Sequence, residues 1–129
     1  MIQKELSMLR YIPSFILNQF ENKCFSGQFN GYVLFFDVAD FTRIGNEFRK
    51  HGKAGAEELS IFLQEVFDNP IKTVETYGGY VALFAGDAFC SVFPDCDIKT
   101  ISYVIHKIQA IFKEKTSFES SFGHFDIQI

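Results

Sequence analysis

Two apolar runs separated by only two residues constrain the fold of this 129-residue chain more than any other feature. Residues 80–85 and 88–93 are rich in aromatic and β-branched side chains, and Gly86 and Asp87 stand between them. A two-residue loop that begins with glycine favours a tight antiparallel hairpin, because glycine readily adopts the positive φ that such a turn requires. The sequence therefore predicts a β-hairpin with an aspartate at its tip.

A second apolar segment also ends in an aspartate. Residues 32–36 are continuously apolar and stop at Asp37, a pattern typical of a strand buried on both faces. Asp37 either caps a helix that starts near Phe41 or points into a cleft beyond the strand end, and Asp87 is either a simple turn residue or a ligand. Because the two aspartates converge if their strands are neighbours, the combination predicts a shared site for divalent metals.

The rest of the chain has helical and strand patterns that complete one domain. Pro13 interrupts helical spacing over residues 1–20 and is expected to start a second short helix rather than to lie inside one long helix. Pro70 is expected to kink or split the longest helix, and Asp97 is a candidate cap. Helices are predicted over residues 42–50, about 56–77 and 98–113, and a last strand over residues 125–129. This order predicts an α+β fold with helices on one face of a sheet.

Composition and charge exclude several classes of function. The net charge is −4 and the longest basic run is Arg49-Lys50-His51, which argues against nucleic-acid binding. No window approaches the ~20 apolar residues of a membrane span. The cysteines, Cys24, Cys90 and Cys96, show no paired spacing and are expected to be reduced thiols, so we expect a cytoplasmic protein.

Three segments, in this order, resemble the class III adenylate/guanylate cyclase catalytic domain. They are GYVLFFDVADFTRIGNEF, GAEELSIFLQEVF and YGGYVALFAGDAFCSVF. The resemblance is nearest to the soluble, bicarbonate-responsive branch and covers about residues 27–129, the N-terminal part of that domain. It implies a ferredoxin-like, palm-type sheet with helices on one face, truncated before its second half. We expect residues 1–24 to be a helical cover segment and residues 25–129 to be a partial cyclase domain.

The resemblance also assigns roles to residues. It implies that Asp37 and Asp87 bind two Mg²⁺ or Mn²⁺ ions and that Val38 supplies a backbone carbonyl to one of them. It further implies that Asp37, Val38, Phe41 and Thr42 hold the triphosphate of ATP or GTP. Members of the family form a 3′,5′-cyclic nucleotide and pyrophosphate in a site between two such domains, which are a homodimer or two unequal halves.

Three departures from the family pattern bear on activity. Asp40 stands where the family usually has glycine, and its charge disfavours a neighbouring triphosphate. Leu83 stands where the family often has a lysine, and leucine has no donor with which to read a base, so ATP and GTP both stay open. The family's ribose-orienting Asn and transition-state Arg belong to the second half of the domain, and losing such a stabiliser costs about 100- to 1000-fold in rate. We therefore expect this chain alone to be inactive.

Two alternatives follow from the same residues. A diguanylate-cyclase-type module has the same fold, but the chain lacks the Gly-Gly-Asp-Glu-Phe hairpin of that family. The second alternative is a degenerate, non-catalytic regulatory module that pairs with an active partner. In either case, an unpaired edge of the last strand predicts self-association, with Phe84, Phe89 and Phe93 as candidates for exposure.

Overall fold

A computed structural model describes residues 12–129, and the chain divides into two compact units, residues 1–30 and 31–129. In the first unit, helix α1 (Ser14–Glu21) begins directly after Pro13, as the sequence predicts, because proline has no N–H to leave unpaired at a helix start. The helix expected before Pro13 lies outside the described residues, and the cover role of this unit stays a prediction. Within residues 12–129, no helix combines the length and the apolar character of a membrane span.

The second unit has the predicted α+β architecture. It contains one three-stranded and one two-stranded sheet, and all strand pairs are antiparallel. Its elements are β1 (Gly31–Asp37), α2 (Phe41–Arg49), α3 (Gly52–Thr76), β2 (Tyr80–Ala85), β3 (Ala88–Pro94), α4 (Ile98–Glu114), β4 (Ser117–Ser120) and β5 (Gly123–Asp126). The larger sheet has the order β1-β3-β2, so the strand after the predicted hairpin turn is its centre.

Phenylalanine rings form the core between the larger sheet and the helices α3 and α4. The ring of Phe36 on β1 stacks on that of Phe89 on β3 with centroids 4.9 Å apart. It also meets Phe67 of α3 edge-on at 5.8 Å and Phe112 of α4 at 5.7 Å. Each fully buried ring contributes about 1.5–3 kcal/mol of apolar burial. The two helices therefore cover one face of the sheet, as predicted.

The other face of the sheet is open, which corrects two predictions. Burial alternates along β1, and Val33 and Phe35 are 57% and 75% exposed, so the strand is not buried on both faces. Phe89 and Phe93, which were candidates for exposure, are buried, whereas Phe84 is exposed. A continuous apolar run gives no information on which face a helix will cover, and here α3 and α4 cover the face that carries Phe36, Phe89 and Phe93.

Helix α3 is longer and more continuous than predicted. It begins at Gly52 rather than near residue 56, and it runs through Pro70 without a break. Gly55 lies inside this helix because α2 approaches closely: a Cβ at that position would lie 1.8 Å from the carbonyl oxygen of Phe48. Pro70 is fully buried, and its packing offsets the missing backbone hydrogen bond. Tertiary contacts thus override two residues that usually end helices.

The last strand also differs from the prediction. Of the predicted strand residues 125–129, only 125–126 are in a strand, as the last two residues of β5. β5 pairs with β4 in a hairpin that the sequence did not predict. Phe118 and Phe125 are buried and meet the ring of Phe48, with centroids 6.5 and 4.7 Å away. β5 thus pairs with β4, which precedes it in the sequence across a short turn, and not with a strand of the larger sheet. One backbone bond, from the N–H of Ala39 to the carbonyl of Gln128 at 2.8 Å, ties the chain after β5 to the turn after β1.

Candidate metal and phosphate site

The two candidate metal-binding aspartates lie at the same end of two paired strands. Asp37 is the last residue of β1 and pairs in register with Ala88, the first residue of β3. Beyond that pair, the N–H of Val38 donates a hydrogen bond to the carbonyl oxygen of Asp87 at 3.2 Å. The backbone segments that carry Asp37 and Asp87 are therefore joined by a hydrogen bond where β1 ends and β3 begins.

The hairpin turn that carries Asp87 follows from its local sequence. Gly86 and Asp87 are the only residues between β2 and β3, as predicted, and Gly86 has φ +65°. Glycine occupies the first central position in tight turns of this kind because other residues are strained there. The turn leaves Asp87 half-buried at the tip, directly beyond the end of β1.

The carboxylate of Asp37 does not cap the following helix. The N-cap residue of α2 is Asp40, so the helix-cap interpretation of Asp37 is wrong. Asp37 is exposed, and within residues 12–129 the carboxylates of Asp37 and Asp87 make no hydrogen bond or ion pair. Their oxygen lone pairs are thus available to a ligand.

Asp40 has a backbone conformation that glycine adopts more readily than most other residues. Its φ is +58° and ψ is +23°, the left-handed region that glycine, asparagine and aspartate tolerate best. Its carboxylate makes no capping bond to α2 and instead accepts a hydrogen bond from Nε of Arg43. That hydrogen bond, and next the charge of the carboxylate, raises the pKa of Arg43. The negative charge of Asp40, which was expected to repel a triphosphate, therefore has a cationic partner, Arg43, in the first turn of α2.

The N-terminus of α2 follows β1 after three residues and has unpaired donors among the described residues. The first N–H groups with backbone acceptors in the helix are those of Arg43 and Ile44, which both bond to the Asp40 carbonyl. The N–H groups of Phe41 and Thr42 precede them and have no backbone acceptor among the described residues. Because the helix dipole is positive at this end, these donors favour an anionic ligand.

The donor set fits hard divalent cations at an open site rather than in a closed cage. No cluster of three or more His, Cys, Asp and Glu side chains capable of holding a metal occurs within residues 12–129. Asp37 and Asp87 offer carboxylate oxygens, and Val38 adds a carbonyl. Mg²⁺ is commonly held by one or two carboxylates, with water and substrate phosphates as its other ligands. The residues present fit this pattern.

Apolar residues line the open face next to the candidate site. Phe35, Cys90 and Leu83 lie in one row across β1, β3 and β2, two pairs inward from Asp37 and on the same face as that residue. Leu83 is 60% exposed, directly after an irregularity in β2 at residues 81–83. The thiol of Cys90 is a weak donor, and the side chains of Phe35 and Leu83 have no group that can hydrogen-bond to the polar edge of a base.

A groove follows the free edge of β1 but is too small for a nucleotide. It has a volume of about 160 Å³, whereas sites for drug-sized ligands occupy roughly 300–1,000 Å³. Asp37 lies at the groove, together with Leu34, Ile105, Ile108 and Ile129. This groove is therefore not large enough to enclose a nucleotide.

Comparison with known proteins gives the fold but not the chemistry. No family model and no curated protein matches the chain. Two solved structures of a bacterial light-regulated adenylyl cyclase are similar, with TM-scores of 0.64 and 0.59 at 14% and 13% sequence identity. Both similarities cover 98% of this chain but only 45% of the other chain, so this chain spans less than half of those proteins. The chain thus has an adenylyl cyclase fold, and its place in the bicarbonate-responsive branch stays a prediction.

Sequence reasoning missed two contributors to the site. Arg43 is exposed on α2 and pairs with Asp40, and the spacing of three residues was the signal available. Gln128, whose carbonyl accepts from Ala39, had no such signal, because a backbone bond between residues this far apart in sequence leaves no local pattern.

Proposed function

We propose that residues 31–129 bind a divalent metal–nucleoside triphosphate and form one half of a nucleotide cyclase site that acts on ATP or GTP. The observation that carries this proposal is the hydrogen bond between Val38 and Asp87. It joins the two aspartate-bearing segments next to the open N-terminus of α2. The adenylyl cyclase fold of the structural neighbours supports the same assignment.

Each residue at this edge has a distinct role in the proposed site. Asp37 and Asp87, with the carbonyl of Val38, hold two Mg²⁺ or Mn²⁺ ions, and the N–H groups of Phe41 and Thr42 bind phosphate oxygens. When bound, such ions activate the ribose 3′-hydroxyl and neutralise the charge of the leaving group. In the proposed reaction the ribose 3′-hydroxyl would lose its proton to solvent, the 3′-oxygen would bond to the α-phosphorus in line, the bond from that phosphorus to the oxygen that bridges to the β-phosphate would break, and pyrophosphate would leave with the cyclic nucleotide as the other product.

A second cyclase-type domain completes the site in this proposal, as a homodimer or as an unequal half. The open sheet face presents Val33, Phe35 and Leu83, each more than half exposed, and contiguous exposed apolar surface of this kind is typical of protein interfaces. The face adjoins Asp37, so a domain that covers it lies over the metal ligands. It would also enclose the base, which this unit does not do alone.

We expect no measurable turnover from the chain alone. Arg43 lies directly after the N–H groups proposed to bind phosphate, and its guanidinium is engaged by Asp40. Without a further cation at the transferring phosphoryl group, the rate falls by about 100- to 1000-fold. The binding of nucleotide is therefore the property that the isolated chain can display.

The second candidate is a non-catalytic regulatory module that pairs with an active partner. The exposed Leu83, which has no donor, and the negative charge of Asp40 favour it. A purely regulatory module needs no metal ligands, however, and Asp37 and Asp87 are both present. Metal-dependent nucleotide binding distinguishes the two candidates.

Isothermal titration of the chain with ATP or GTP, in Mn²⁺ and in its absence, tests the proposal. We expect binding only with Mn²⁺, and we expect Asp37→Asn and Asp87→Asn each to abolish it. Asp95→Asn is the matched control, because Asp95 is exposed in the turn after β3 with φ +49°, which asparagine tolerates. A folded parent chain that binds neither nucleotide would favour the regulatory module.

A further inference from the structure

An ion pair spans the turn that contains the candidate phosphate donors. The carboxylate of Asp40 accepts a hydrogen bond from Nε of Arg43, and the two side chains are 59% and 56% exposed. The backbone joins the same residues, because the N–H of Arg43 donates to the carbonyl of Asp40 at 3.1 Å. Phe41 and Thr42 therefore lie between an acid and a base that contact each other.

The position of Arg43 is unfavourable for a cation unless an anion is close to it. Arg43 is the third residue of α2, and the N-terminal end of a helix dipole is positive. Within residues 12–129, Asp40 is the only carboxylate in ion-pair contact with Arg43. Glu47, one turn further along α2, pairs with Lys50 at 2.6 Å. The guanidinium of Arg43 therefore depends on one exposed carboxylate that precedes the helix.

The contact with Asp40 leaves most donors of the arginine unused. It involves Nε, whereas neither Nη group of Arg43 makes a hydrogen bond within the described part of the chain. A guanidinium has five N–H donors in a planar fork that matches phosphate oxygens. Because an exposed ion pair contributes little free energy, a triphosphate with several negative charges can displace the single charge of Asp40 from Arg43.

We propose that Arg43 binds the phosphates of the nucleotide and that Asp40 competes with them for its guanidinium, so that Asp40 lowers the affinity of the site. This inference rests on the proposed function, because it requires a triphosphate at the N–H groups of Phe41 and Thr42. Loss of the carboxylate at residue 40 then strengthens binding in two ways. It removes a negative charge next to the phosphates, and it releases the guanidinium.

A double-mutant cycle at residues 40 and 43 tests the competition. Asp40→Asn keeps the backbone, since asparagine tolerates the left-handed conformation as aspartate does, and Arg43→Gln removes the guanidinium. Isothermal titration with Mn²⁺–ATP and with Mn²⁺–tripolyphosphate gives dissociation constants for the parent chain, both single variants and the double variant. Tripolyphosphate has no base or ribose, so it reports on the phosphate end alone. Thermal unfolding verifies that each variant is folded.

The sign of the coupling between the two substitutions distinguishes competition from simple screening. We expect Asp40→Asn to bind both ligands about twofold to fivefold more tightly than the parent, the size of an exposed ion pair. In the Arg43→Gln background the same substitution should give a smaller gain, because it then removes only the repulsion between Asp40 and the phosphates. An equal or larger gain in that background would show that Arg43 merely screens Asp40 and would overturn the proposal.

The matched control is an aspartate with the same backbone conformation at the opposite end of β3. Asp95 is exposed and has φ +49°, so Asp95→Asn makes the same change in charge as Asp40→Asn in a similar turn. It should leave both dissociation constants unchanged. An equal gain from the two aspartate variants would mean that only the net charge of the chain matters, which would also overturn the proposal.

The cycle separates failure of this proposal from failure of the proposed function. If the parent and Asp40→Asn bind Mn²⁺–ATP with the same dissociation constant, the competition is wrong and the metal–nucleotide site stands. If Asp40→Asn binds and the parent does not, Asp40 suppresses the site and the proposal is supported. If neither folded chain binds either ligand, the proposed function fails, and the competition fails with it.

Discussion

The rings of Phe36 and Phe89 stack at a centroid distance of 4.9 Å, and the next pair along the same two strands is Asp37 and Ala88. The stack therefore fixes the register of β1 on β3 immediately before the first candidate metal ligand. A shift by one residue would turn Asp37 onto the helix-covered face. Aromatic packing in the core thus determines where the carboxylate points.

Phe36→Ala should destabilise the fold by about 3–5 kcal/mol, the range for truncating a buried aromatic side chain. Phe35→Ala, one residue earlier, is the matched control, because Phe35 is 75% exposed on the open face and should change the free energy of unfolding by less than about 0.5 kcal/mol. Urea unfolding followed by circular dichroism measures both. Equal losses in the two variants would contradict the assignment of the two faces of β1.

Gly55→Ala should destabilise the chain although alanine is the better helix former. A Cβ at residue 55 would lie 1.8 Å from the carbonyl oxygen of Phe48, so α2 and α3 must move apart, at a cost of about 1–3 kcal/mol or more. Gly45→Ala provides the comparison, because a Cβ there meets only an atom of the Phe41 ring, at 3.9 Å. That variant should be stabilised by up to about 1 kcal/mol. Thermal unfolding that ranks the two variants the other way would refute the close helix contact.

Self-association should depend on the open sheet face rather than on Phe89 and Phe93, which are buried. Phe35→Lys and Leu83→Lys place charges in one row of that face and should each shift the sedimentation profile towards monomer. Ile98→Lys, at an exposed residue that begins α4, should leave the profile unchanged. A parent chain that sediments as a monomer at high concentration would contradict this use of the face.

Local chemistry made some elements predictable from sequence. The hairpin follows from Gly86 and Asp87, because few residue pairs suit so tight a turn. The start of α4 follows from Asp97, whose carboxylate accepts a hydrogen bond from the N–H of Thr100 at 2.8 Å, the standard bond of an N-cap. In both cases the deciding interactions lie within a few residues of each other in the sequence.

Long-range packing decided the elements that the sequence did not predict. Pro70 stays inside α3 because its ring is buried, and Gly55 stays there because another helix touches it. Phe35 is exposed because the helices cover only the other face of β1. The spacing of Asp40 and Arg43 in the sequence is compatible with an ion pair. An exposed ion pair contributes little to stability, however, so the sequence alone does not predict that this one forms.

The most direct test of the account is to locate a bound metal ion on the folded chain. Mn²⁺ is paramagnetic and broadens the NMR signals of nearby nuclei, so substoichiometric Mn²⁺ with ATP should selectively broaden the amide signals of Val38, Phe41, Thr42 and Ala88. Asp87→Asn should remove this local broadening. The amides of Gly31 and Phe93, at the other end of the paired strands β1 and β3, should be affected little. Broadening centred on that end of the sheet, or none that depends on ATP, would contradict a metal–nucleotide site at Asp37 and Asp87.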